Sequence, residues 1–149
     1  MFLPWYNSYR FLIQNITRWE KTTGSNFTFD PNMKRDIMSN PNANIMDKWI
    51  ITTNQHLIKY VRQEMDNYRL YNVIRHILQF LKELSNWYVR LNRNRMKGDE
   101  GVQEQILALN TLFDVLLNTS ILMSSITPFL SEFIYQNLRN GISEENTKY

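Results

Sequence analysis

Between Arg75 and Lys97 the chain places Arg75, Lys82, Asn86, Arg90, Arg93, Arg95 and Lys97. At about 100° per residue, a helix brings Arg75, Gln79, Lys82, Asn86, Arg90 and Arg93 to within about 80° of one another. Cations seven residues apart on such a face are separated by about 10 Å and can follow a phosphate backbone. A continued helix would carry Arg95 to the core side, so Arg95 and Lys97 are expected to join this surface through an end to the helix near Asn94. The plainer alternative is an ordinary solvated face. The charge distribution weighs against it: Lys59 to Lys97 holds nine basic and three acidic residues, a net of +6, whereas Gly98 to Tyr149 carries −5. Such asymmetry points to a polyanion on one side of the molecule.

Other chemistry is hard to assemble. His56 and His76 have no second histidine or carboxylate at ligand spacing on the same helix, so each is expected at or near the surface, with no metal. Cysteine is absent, which excludes disulfides, thiolate ligands and cysteine nucleophiles. The four glycines are scattered singly or flank a short loop, and none builds a phosphate-cradling turn. No catalytic residue and no cofactor is assigned. Trp87 and Tyr88 are expected in the core, as bulky aromatics on a bundle helix usually are. Trp87 lies at the edge of the apolar stripe, where stacking on a base would require partial exposure.

The elements that must position these residues are helical. With 149 residues, 43% of them hydrophobic, one domain with one packed core is expected. Tyr9, Leu12, Ile13 and Ile16 mark a helix from about Pro4 to Lys21. Turn chemistry from Gly24 to Asn44 reads as a long connection, in which Phe27-Thr28-Phe29 is too short to count as a strand. Asn44 followed by Asp47 suggests a capped start to a second helix running to about Asp66. Leu70, Ile74, Ile77, Leu81, Leu84, Tyr88 and Leu91 form the stripe of a third, from Tyr68 to about Asn94. A fourth runs from about Val102 to Ser125, and Thr127-Pro128 opens a fifth that ends near Asn140-Gly141, leaving residues 143–149 frayed. An all-α bundle of four or five helices is therefore expected. Leu112 to Leu130 is too polar to span a bilayer and reads as buried helix, and the opening residues make a poor signal peptide. No membrane association and an intracellular home are expected.

The run Asn86-Trp87-Tyr88-Val89-Arg90-Leu91-Asn92-Arg93-Asn94-Arg95-Met96-Lys97-Gly98 closely resembles the anticodon-binding domain of isoleucyl-tRNA synthetases, particularly the cytosolic eukaryotic type. Leu3 to Asn15, Met46-Asp47-Lys48-Trp49-Ile50, Tyr68-Arg69-Leu70-Tyr71 and Thr127 to Glu132 resemble the same family. The likeness covers nearly the whole chain and is weakest from Thr22 to Asn42. Valyl, leucyl and methionyl enzymes share the fold, and the valyl type is the runner-up.

The resemblance implies a domain that binds the anticodon arm of tRNA(Ile), cut from a cytoplasmic ligase that uses ATP and magnesium to join isoleucine to tRNA. It implies that the catalytic and editing domains lie outside this chain, that Met1 is an added start, and that the catalytic domain is a partner, with other synthetases a further one. Arg75, Lys82, Asn86, Arg90, Arg93, Arg95 and Lys97 are the expected tRNA contacts. A free-standing enzyme finds no constellation to support it, and a helical protein-docking module is the third class.

Overall fold

The computed structural model describes residues 2–142, so the expected frayed tail, 143–149, lies outside the described residues. Helix α1 (Leu3–Thr23) is followed by the short α2 (Met33–Ser39), α3 (Ile45–Asp66) and α4 (Leu70–Glu83). A π-helical segment (Leu84–Val89), α5 (Arg93–Lys97), α6 (Val102–Met123) and α7 (Pro128–Arg139) complete the order. The all-α expectation is met. Pro4 occupies the first turn of α1, where its missing N–H costs nothing, and Gly24 closes that helix at φ 69°. Asn44 caps α3 by accepting from the Met46 N–H.

Helix α6 is the centre, packed against α1, α3, α5 and α7. By length and composition it is apolar enough to cross a membrane, yet 67% of its most apolar window is buried inside the bundle. Its polar residues are compatible with burial because Thr111, Thr119 and Ser120 each donate to a carbonyl one turn earlier.

Several expectations need correction. The Gly24–Asn44 connection contains α2 and is tied to the core at several points. Phe27 and Phe29 are buried, and Phe29 stacks on Phe113 with ring centroids 4.8 Å apart. The Asn110 side chain accepts from the Asp30 N–H and donates to the Asp30 carbonyl, both at 2.9 Å, while Lys34 pairs with Asp114 at 3.0 Å. Turn-type residues gave no hint of these contacts, which come from a helix 80 residues later. The second correction concerns the stripe. Ile77, Leu81, Leu84 and Tyr88 are buried, but Leu70, Ile74 and Leu91 are 57%, 40% and 62% exposed. The wider π turn advances each residue through a smaller angle, so the inward phase passes from Tyr88 to Asn92, Arg95 and Met96, leaving Leu91 outside.

Arg95 is thereby corrected too. The chain turns once at Asn92 and resumes as α5, so Arg95 is carried inward and is only 2% exposed. Its two terminal nitrogens donate to the two carboxylate oxygens of Asp47, at 2.9 and 2.7 Å, and its Nε donates to Glu104 at 2.8 Å. Tyr88 donates its hydroxyl to Asp47 at 2.7 Å. Asp47 is thus a core ligand on α3, rather than the N-terminal capping partner that its spacing from Asn44 suggested. Burial alone would lower the pKa of Arg95, but the hydrogen bonds and charge of Asp47 outweigh it and hold the guanidinium above its usual value. Burial, and then the charge and hydrogen bond of Asp47, push the Tyr88 phenol well above its usual value.

Truncating the fully buried Leu84 to alanine should cost about 2 to 4 kcal/mol, and Lys82→Ala less than about 0.5 kcal/mol. Urea denaturation measures both, and equal losses would mean the helix is rotated from this description. Asp47→Ala, which leaves the buried guanidinium with the half-exposed Glu104 as its remaining charged partner, should cost about 3 to 5 kcal/mol in the same assay. An unfolded chain releases a tyrosine proton near pH 10 while folded Tyr88 holds it, so this contribution is complete below about pH 10 and declines as pH rises further. Tyr88→Phe should remove that decline, which pH-dependent urea midpoints will show.

Candidate nucleic-acid interface

Of the seven basic and polar residues singled out in the sequence, Arg75, Lys82, Asn86, Arg90, Arg93 and Lys97 are exposed and Arg95 is not. The structure divides the exposed six. Arg90 and Arg93 line an open groove together with Ser85 and Val89, and the opposite wall is α1, through Asn7, Ser8, Arg10, Phe11 and Gln14. Arg75 and Lys82 border a separate shallow depression farther back on α4, with His76, Leu78 and Gln79. Asn86 stands between the two groups, one turn after Lys82 and one turn before Arg90, and Lys97 lies beyond the turn at Asn92.

Local structure explains the spread. The chain stays helical from Leu70 through Leu91, so Lys82, Asn86 and Arg90 form one ridge at four-residue steps. Arg93 and Lys97 point outward because Arg95, between them, is held inward by Asp47 and Glu104. Gly98 ends α5 at φ 98°, and a Cβ there would stand 2.9 Å from the Gln105 side-chain oxygen. That position accepts no larger residue without moving Gln105, whose amide nitrogen donates to the Met96 carbonyl and fastens α5 to α6.

Electrostatically, the groove is open for an anion. Among the described residues the ion pairs engage Lys34, Arg69 and Arg95, leaving Arg10, Arg90 and Arg93 without a carboxylate within 4 Å. A guanidinium that is exposed and uncommitted can form a bidentate pair with phosphate. Arg10 was not singled out from the sequence. Its only signal was a place on the polar side of α1 with Gln14 one turn later, and nothing local says that this side faces Arg90 and Arg93.

Trp87 departs from expectation. It is 58% exposed, whereas its neighbour Tyr88 is fully buried. His56 and His76 both lie on the surface. They border one groove between α3 and α4, where the His76 ring lies against Tyr60, tilted by 36°, with centroids 4.0 Å apart.

Comparison with known proteins places this geometry. Residues 47–148 match the family described as the anticodon-binding domain of tRNA ligases. An isoleucine–tRNA ligase of Tetrahymena thermophila is 54% identical over 144 residues, covering 95% of this chain and 13% of that protein. The cytoplasmic isoleucine–tRNA ligase of Arabidopsis thaliana is 47% identical over all of this chain and 12% of its own length. That of Saccharomyces cerevisiae is 42% identical over 95% of this chain and 13% of its own. The chain spans about an eighth of the length of these relatives. With a helical bundle, a match over two-thirds of its length and relatives of one type, the chain belongs to the family of tRNA ligase anticodon-binding domains, in its isoleucine–tRNA ligase form.

Proposed function

We propose that this domain binds the anticodon arm of tRNA(Ile), with phosphates held along the groove between α1 and the π segment. The observation that carries the proposal is a pair of walls from distant parts of the chain, Arg10 on one side and Arg90 and Arg93 on the other, whose cations are not engaged by carboxylates. Lys82 and Asn86 extend the track along the ridge, and Arg75 and Lys97 supply longer-range attraction. Phosphate contacts of this kind position an RNA and carry no sequence information, so discrimination between tRNAs rests on contacts to bases. Isoleucine activation with ATP and magnesium, and transfer to tRNA, are assigned to other domains of a longer, cytoplasmic ligase. This chain contributes no catalytic group to them.

A second surface fits the protein-docking reading, with the catalytic domain of the same polypeptide as its partner. The first turn of α1, the α3–α4 turn and the α6–α7 turn lie at one end of the bundle, where Phe2, Ile74, Met123 and Ile126 share an apolar groove. Leu3, Tyr68, Tyr71 and Phe129 there are 65%, 91%, 74% and 92% exposed. Apolar groups so concentrated suit a protein neighbour better than a phosphate. Other synthetases are a further class of partner for the same end.

Binding of tRNA(Ile) to wild type and to the Arg90→Ala, Arg93→Ala double variant at several salt concentrations tests the groove. Each phosphate contact contributes about 0.7 to 0.9 to the slope of log K against log salt, so the double variant should flatten the slope by about 1.4 to 1.8. Its losses for isoleucine and valine tRNAs should be similar. A folded double variant with unchanged affinity and slope would remove the groove from the interface.

A further inference from the structure

We propose that Trp87 is a stacking platform for one unpaired nucleobase of the RNA whose backbone lies along the basic ridge, an inference that rests on the RNA-binding function proposed above. Three of the four tryptophans are in or against the core: Trp5 is fully buried, Trp19 is 7% exposed, and Trp49 packs partly buried on the core. Trp87 alone is mostly in solvent, at 58% exposed. The π segment accounts for the difference. In an ordinary α-helix a residue three after Leu84 stays near the inward face, but the wider turn swings Trp87 away while Tyr88 remains inside.

The surroundings argue for a base as its occupant. Trp87 follows Asn86 directly, so it borders the ridge on the flank away from the α1 groove, which Ser85, Val89, Arg90 and Arg93 line, and Leu91 one turn later, 62% exposed, prolongs the apolar strip. Glu83, the carboxylate one turn before Trp87, is engaged by the Gln79 amide at 2.8 Å, and the π segment and α5 contain no acidic residue. An indole across the ridge from uncommitted arginines offers the two components of single-strand binding: a flat surface that accepts the face of any base, and charges that hold the adjoining phosphates. Duplex bases are stacked already, so the platform serves only loop or splayed nucleotides.

The test compares wild type, Trp87→Phe, Trp87→Leu and the Arg90→Ala, Arg93→Ala double variant, using two probes: the anticodon stem-loop of an isoleucine tRNA and a blunt RNA duplex of equal phosphate number. Far-UV circular dichroism verifies that each variant is folded. For the stem-loop, Trp87→Leu should bind about 5- to 150-fold more weakly with an unchanged salt slope, and Trp87→Phe should retain most of the affinity. Tryptophan fluorescence should be quenched by the stem-loop in wild type and not in Trp87→Phe. Duplex binding should be the same in all three Trp87 forms. If Trp87→Leu binds the stem-loop like wild type while the arginine variant is weakened, the platform is wrong and RNA binding by the groove stands. If the arginine variant and Trp87→Leu both bind like wild type, or wild type binds neither probe, both proposals fall.

Discussion

The buried pairing of Arg95 with Asp47 is the constraint on which the interface depends. It joins α5 to α3, and through Tyr88 and Glu104 it also engages the π segment and α6. Taking two charges out of water costs several kcal/mol each, and only good geometry with the remaining donors and acceptors satisfied offsets that cost. Here the carboxylate accepts three hydrogen bonds and the guanidinium is bidentate, with Glu104 supplying a second, half-exposed negative charge. Such a pair adds little net stability over a well-packed apolar group. Its effect is on register, because any rotation or slip of α5 would leave both charges buried and alone.

Register is what the surface needs. A five-residue helix such as α5 (Arg93–Lys97) is too short to hold its own orientation. With Arg95 fixed inward and Met96 fully buried beneath it, Arg93 and Lys97 have no choice but to face solvent. The π segment acts in the same way one step earlier in the chain, moving Leu91 and Trp87 out and Asn92 in, where the Asn92 amide donates to the Tyr88 carbonyl. The basic ridge thus follows from how the core side of this stretch is satisfied.

The bundle separates its surfaces. Cations line the groove between α1 and the π segment, whereas large apolar side chains collect at the end formed by the start of α1 and the α3–α4 and α6–α7 turns. Away from both, the Gly24–Asn44 connection is clasped to α6 by aromatic stacking, the two-way Asn110 pairing and the Lys34–Asp114 bridge. A polyanion and a protein neighbour can therefore be engaged without competing for the same residues.

By itself, the sequence determined the fold class and most helix bounds, because helical periodicity, Pro4 and Pro128 at helix starts, the Asn44 cap and the terminal glycines are local signals. It also located the basic stretch and the family likeness. Only the tertiary structure decided which cations remain at the surface. Arg95 carries the same side chain as Arg90 and Arg93, and its fate was set by Asp47 on α3 and Glu104 on α6, partners that no local pattern announces. The same holds for Arg10, whose place opposite Arg90 depends on how α1 packs, and for Phe27 and Phe29, which look like loop residues until Phe113 is brought beside them. Trp87 was decided by a single π turn. Sequence patterns assume one constant angle per residue, and a local change in that angle rephases everything after it.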